Sequence, residues 1–143
     1  MIAPASPSGY RPSMGPRQKA LIAIVDDDES VRCAVQGVLK SNGYESRSFS
    51  SAGEFLESGQ QRVASCLITD VRMPGMSGLE LQARLAEAGC KIPIVFLTAY
   101  GDPRMRSQAM KAGAIVFLGK PFDAKVLLDS VRSALKITSD GAG

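Results

Sequence analysis

LIAIVDDD, residues 21–28, decides how the rest of the chain is read. Leu21 to Val25 are apolar without alternation, the pattern of a strand buried on both faces rather than one with a solvated side. Asp26, Asp27 and Asp28 follow where such a strand would leave the core. The same grammar recurs downstream. Cys66 to Thr69 is an apolar run ending in Asp70, Ile94 to Leu97 ends in Thr98, and Ile115 to Leu118 stops just before Lys120-Pro121. Tyr44 to Phe49 is a weaker strand candidate.

Helical signals fill the gaps. From Ser30, the spacing of Val31, Val35, Val38 and Leu39 predicts one apolar face, with Gly43 as the stop. Ser51 with Glu54, and Ser77 with Glu80, have the spacing of capping boxes; the second opens a helix carrying Leu79, Leu81 and Leu85 up to Gly89. Pro103 suits a first helical turn and Gly113 a helix end. Asp123 is placed to cap a last helix bearing Val126, Leu127, Val131 and Leu135. Five strands alternating with five helices predict an α/β fold, a parallel sheet covered on both faces. Right-handed crossovers then set all carboxyl ends of the strands along one edge, where such sheets bind ligands. Asp26, Asp27, Asp70, Thr98 and Lys120 all fall at that edge.

Composition narrows the chemistry. The chain has 143 residues, 45% of them apolar, enough for one domain with a buried core. It has no apolar run of about 18 residues and no secretion signal, so it reads as cytoplasmic, without a membrane partner. Cys33, Cys66 and Cys90 are odd in number and widely spaced, against both a disulfide framework and a zinc cluster. Histidine is absent, which removes His-dependent nucleophilic sites, His-ligated metals and any phosphohistidine on this chain. Lys and Arg number 17 against 14 Asp and Glu, and Arg11, Arg17 and Lys19 of the acid-free leader account for the excess. A neutral body gives no indication of direct nucleic-acid binding.

Each candidate residue also has a plain structural explanation. Paired Asp residues cap helices, Asp70 precedes a Pro74-Gly75 turn, a lone threonine ends many strands, and a lone lysine is commonly surface charge. Their coincidence on one sheet edge is what favours function. Three converging carboxylates repel unless a hard divalent cation, Mg²⁺ above all, lies between them. Asp70, alone at its strand end, is the candidate nucleophile toward phosphorus, and Asp26 with Asp27 the metal cradle. Lys120 and Thr98 would stabilise phosphoryl oxygens.

The stretches IVDDD (24–28), ITDVRMPGMSG (68–78), FLTA (96–99) and FLGKPF (117–122) resemble the receiver domain of two-component response regulators, in particular the FixJ-like group. The resemblance covers about residues 20 to 136. It implies a flavodoxin-like doubly wound sheet, (βα)5, of strand order 2-1-3-4-5, and a cis Lys120-Pro121 bond. It implies phosphorylation of Asp70 by a sensor histidine kinase or histidine phosphotransfer protein, with Asp27 binding Mg²⁺ directly, Asp26 mainly through water, and Arg72 through its backbone carbonyl. Thr98 and Phe117 would be the switch pair, reshaping the face of the fourth helix, fifth strand and fifth helix toward a downstream protein or a second copy. Phe117 also reads as an ordinary core aromatic. Such a domain is a signalling receiver that assists only its own phosphorylation and dephosphorylation. Arg72 and Tyr100 are bulky where side chains flank the phosphoryl group, which suggests obstruction of the hydrolytic water.

The domain reading is a disordered leader over residues 1–18, holding four of the eight prolines, a receiver over 19–137, and a flexible tail over 138–143. The leader and short ending favour a single-domain regulator. A phosphatase of the haloacid-dehalogenase type needs a second Asp two residues after its nucleophile, where this chain has Arg72. The same pattern would also suit a phosphate-independent interaction module, or the receiver part of a DNA-binding transcription factor.

Overall fold

The structure, a computed structural model, describes residues 20–99 and 103–142. The expected leader and Tyr100 lie outside these residues. The chain runs β1 (Leu21–Val25), α1 (Glu29–Ser41), β2 (Glu45–Phe49), α2 (Ala52–Ser58), a 3₁₀ turn (Gln60–Arg62) and β3 (Cys66–Thr69), then α3 (Gly78–Glu87), β4 (Ile94–Thr98), α4 (Pro103–Lys111), β5 (Val116–Gly119) and α5 (Ala124–Ala142). The five strands form one parallel sheet in the order β2-β1-β3-β4-β5, the doubly wound fold expected.

Local chemistry explains the boundaries. Asp28 caps α1 by accepting from the Ser30 amide at 2.9 Å, and Asp123 caps α5 by accepting from the Lys125 amide at 2.8 Å. Ser77 and Glu80 form the complete reciprocal capping box of α3. At α2 the box is only half formed: Ser51 accepts from the Glu54 amide, but the Glu54 carboxylate bonds the Ser50 amide at 2.9 Å. Helix α5 continues to Ala142, past the end of the domain expected at 137. No proline interrupts its backbone bonds there, and nothing before Gly141 favours a stop.

Strand alternation sorts the apolar residues onto two faces. Ile22, Ile24, Ile68, Val95 and Leu97 pack under α1 and α5 through Val35, Leu39, Leu127 and Val131. Ala23, Val25, Leu67 and Phe96 pack under α2, α3 and α4 through Phe55, Leu81, Leu85 and Ala109. Each large side chain buried this way contributes about 1.5–3 kcal/mol. Strand β2 is the faintest in the sequence because it is an edge, with Glu45 and Arg47 exposed along it.

Two tight contacts fix the helices beside the sheet edge. The Gln82 side chain, buried, donates to the Ala109 carbonyl at 3.1 Å and ties α3 to α4. Gly78 opens α3 against the turn after β3, where a Cβ would overlap the Asp70 carbonyl oxygen and come within 3.1 Å of Phe96. Gly37, in the middle of α1, meets nothing within 4 Å. Gly78→Ala is therefore expected to lower the unfolding free energy by ~1–3 kcal/mol, and Gly37→Ala to raise it by ~0.5–1 kcal/mol. Urea denaturation of both variants beside the parent checks this pair; a Gly78→Ala protein of parental stability would contradict the close approach.

Candidate functional site

The ladder carries its geometry one residue past the strands. The Asp26 amide donates to the Phe49 carbonyl at 3.1 Å, the Asp70 amide to Val25 at 3.1 Å, and the Lys120 amide to Thr98 at 3.0 Å. Three charged residues distant in sequence are thus held by the sheet itself rather than by loops. Their side chains meet: the Lys120 ammonium lies 2.9 Å from Asp26 Oδ2 and 2.9 Å from Asp70 Oδ2. Asp26 Oδ1 accepts from the Asp28 amide at 2.9 Å, and Asp70 Oδ1 from the Arg72 amide at 3.2 Å. Asp26 is 2% exposed and Asp70 7%. Asp27 is exposed, yet carboxylate oxygens of Asp26, Asp27 and Asp70 all lie within 4.8 Å of one another.

The charges are unevenly compensated, three carboxylates facing one ammonium. Burial pushes the Asp26 carboxyl above its ordinary range, outweighing the hydrogen bonds from Lys120 and the Asp28 amide. Burial alone would lower the Lys120 pKa, but hydrogen bonds to Asp26 and Asp70 and the charge of both raise it overall. Asp28, exposed, is held low by its bonds from the Ser30 hydroxyl and amide, as a helix cap and not as part of the cluster. A set of carboxylate oxygens with surplus negative charge and no sulfur or imidazole fits a hard cation such as Mg²⁺. Asp26, Asp27 and Asp70 are the side chains that could hold it.

Thr98 is 2% exposed at the end of β4, in register with Gly119 and adjacent to the backbone of Lys120. It shares a sheet face with Phe96, whose ring lies 5.9 Å from that of half-buried Phe117 at 41°. Arg72 sits in the loop after β3, its amide on Asp70 and its residue exposed. Two positions escape a reading of the sequence. Arg32 of α1 donates to the Asp26 carbonyl at 2.7 Å, bracing the loop that carries the acids. Gly78 closes the other side of the site against Asp70. The G-M-S-G run signals a turn, but nothing in it shows which backbone the second glycine approaches. Of the cysteines, Cys66 is buried, its thiol pushed up to about 12 by that burial and so unreactive, Cys90 is half-buried and Cys33 exposed.

A carboxyl whose folded pKa is raised contributes stability below its unfolded value of 3.8 and loses it as pH rises through the folded value. At neutral pH the Asp26 charge therefore opposes folding. Asp26→Asn, measured in EDTA, is expected to be more stable than the parent at pH 7, with the difference shrinking as pH falls toward 4. A less stable variant at pH 7 would mean that the pairing with Lys120 outweighs burial.

Comparison with known proteins gives the family. The family model of the response regulator receiver domain matches residues 22–132. Response regulator protein TmoT of Ectopseudomonas mendocina is 48% identical over 120 residues, which are 84% of this chain and 54% of that protein. Transcriptional regulatory protein FixJ of Azorhizobium caulinodans is 40% identical over 114 residues, 80% of this chain and 54% of that protein. The solved structure of response regulator StyR superposes with a TM-score of 0.81 at 46% identity, covering 87% of this chain and 63% of StyR. The chain spans about half the length of the curated relatives it matches. On its fold, its acidic edge and these matches, the chain belongs to the response regulator receiver family.

Proposed function

We propose that the domain is a phosphoacceptor: Asp70 takes a phosphoryl group from the phosphohistidine of a sensor histidine kinase or a histidine phosphotransfer protein, with Mg²⁺ at Asp26, Asp27, Asp70 and the Arg72 carbonyl. The observation that carries this reading is the Asp70 carboxylate, nearly buried at the sheet edge, with Lys120 2.9 Å away and two further carboxylates beside it. Magnesium, when bound, supplies positive charge shared by the nucleophile and the incoming phosphoryl oxygens. A carboxylate oxygen of Asp70 attacks phosphorus while the nitrogen–phosphorus bond breaks, its electron pair returning to the imidazole of the partner. Asp70 Oδ1 stays oriented by the Arg72 amide. Lys120, already on Oδ2, passes to a phosphoryl oxygen as the carboxylate loses its charge.

Thr98 completes the set by donating its hydroxyl to another phosphoryl oxygen. Its movement leaves space on the face it shares with Phe96, into which Phe117 turns. This alters the surface of α4, β5 and α5, the proposed contact with a downstream protein or a second copy in the cytoplasm. Such an element has two arrangements, and phosphorylation biases them by local charge. Arg72, exposed beside the nucleophile, shields the acyl phosphate from water.

A second reading of the output is favoured by the relatives, only about half of whose length the match covers and which include proteins named as transcriptional regulatory proteins. The domain then serves as the receiver half of a transcriptional regulator. The native reading frame around residues 1–143 distinguishes the two.

Intact mass after incubation with Mg²⁺ and acetyl phosphate is expected to rise by one phosphoryl group in the parent and not in Asp70→Asn. No gain in either, with the donor active on another receiver, would favour a phosphate-independent interaction module. Magnesium at 100 times its dissociation constant should stabilise the fold by about 2.7 kcal/mol, an effect lost in Asp27→Ala by thermal denaturation. Arg72→Ala is expected to lose its phosphate several-fold faster; an unchanged lifetime would remove Arg72 from the shielding role.

A further inference from the structure

We propose that a groove at the amino-terminal edge of the sheet, opposite the acidic site, binds a small apolar carboxylate. The groove begins where Ser65 enters β3 and Pro93 enters β4, and encloses a cavity of ≈ 740 Å³. That volume lies within the range of small-molecule sites, about 300–1,000 Å³. Leu56, Leu85, Ile92 and Pro93 form apolar walls, closed by Ile137 of α5, a large hydrophobic side chain left 50% exposed. A second hollow of ≈ 350 Å³ continues it across Leu85, Ile92 and Ile137.

The sign of the ligand follows from the charges. Among the described residues, every charged side chain lining either hollow is basic, namely Arg62, Arg84 and Lys91. All three are exposed, and among the described residues no carboxylate forms an ion pair with them. An apolar body and a carboxylate for the basic rim answer both features. The chain's own leader is a poor occupant, because Arg11, Arg17 and Lys19 stand there without a single acid. A second copy would bring the same cations face to face.

This site does not depend on phosphorylation of Asp70, and its test omits divalent cations and phosphodonors. Three probes share an indole body and N–H donor but differ in charge: indole-3-acetate, 3-methylindole and tryptamine. Titrated into the full chain and followed by methyl and amide NMR, indole-3-acetate is expected to bind saturably, shifting Ile92 and Ile137. The neutral and cationic probes should bind at least about tenfold more weakly. Arg84→Ala with Lys91→Ala, both surface changes, should weaken indole-3-acetate at least about tenfold and leave 3-methylindole unchanged. Equal binding of the three probes, shifts centred on Lys120, or groove signals unmoved at millimolar indole-3-acetate would each overturn the proposal.

Discussion

The ammonium of Lys120, 2.9 Å from both Asp26 and Asp70, joins the ends of three strands, and the rest of the site depends on that junction. It exists because β1, β3 and β5 are parallel members of one sheet, so their carboxyl ends share an edge although β5 is separated from β3 by β4. Register matters as much as direction. A slip of one residue would send each side chain to the opposite face, and the acids and the lysine would no longer meet. The continuous apolar strands β1, β3 and β4 are buried except at half-buried Leu21, which makes such a slip costly.

Charge and packing are arranged to different ends at this edge. Asp26, Asp70 and Lys120 form a compact polar cluster whose carboxylates exceed its cations, and burial of Asp26 makes the imbalance unfavourable in the isolated domain. An arrangement that opposes folding yet lies on a rigid scaffold is characteristic of sites built for a ligand or a reaction. Gly78 and Arg32 keep it in place, one by allowing α3 to touch the Asp70 backbone and the other by holding the Asp26 carbonyl. On the adjoining face, Thr98, Phe96 and Phe117 connect the edge to α4 and β5, with Gln82 anchoring α4 at its far end. The proposed signal has a short physical route, from a carboxylate to a hydroxyl to an aromatic ring.

The two edges of the sheet differ in kind. At the carboxyl edge the strands end in acids and a lysine, and the polar groups satisfy one another closely. At the amino edge the lining is apolar with a basic rim, and its cavity of ≈ 740 Å³ shares no lining residue with the acidic cluster. Neither property is visible in the net charge, because a body with equal numbers of acids and bases conceals their segregation.

Sequence alone determined the elements and the candidate residues, since both are governed by local rules. Unbroken apolar runs mark buried strands, capping residues mark helix starts, and the acids, threonine and lysine can be named as strand ends before any pairing is known. β2 is faint because an exposed edge strand keeps charged side chains, and the run-on of α5 goes unmarked because helices stop less sharply than their apolar stripe. What only the tertiary structure decided is which groups meet: that Lys120 bridges both buried acids while Asp27 stays exposed, that Arg32 and Gly78 brace the site, and that Leu56, Leu85 and Ile137 line a basic-rimmed groove. The Lys120 bridge and the groove join segments tens of residues apart, so no window along the chain contains both partners, and the shorter reaches of Arg32 to Asp26 and Gly78 to Asp70 depend on how the loops fold back rather than on residue type.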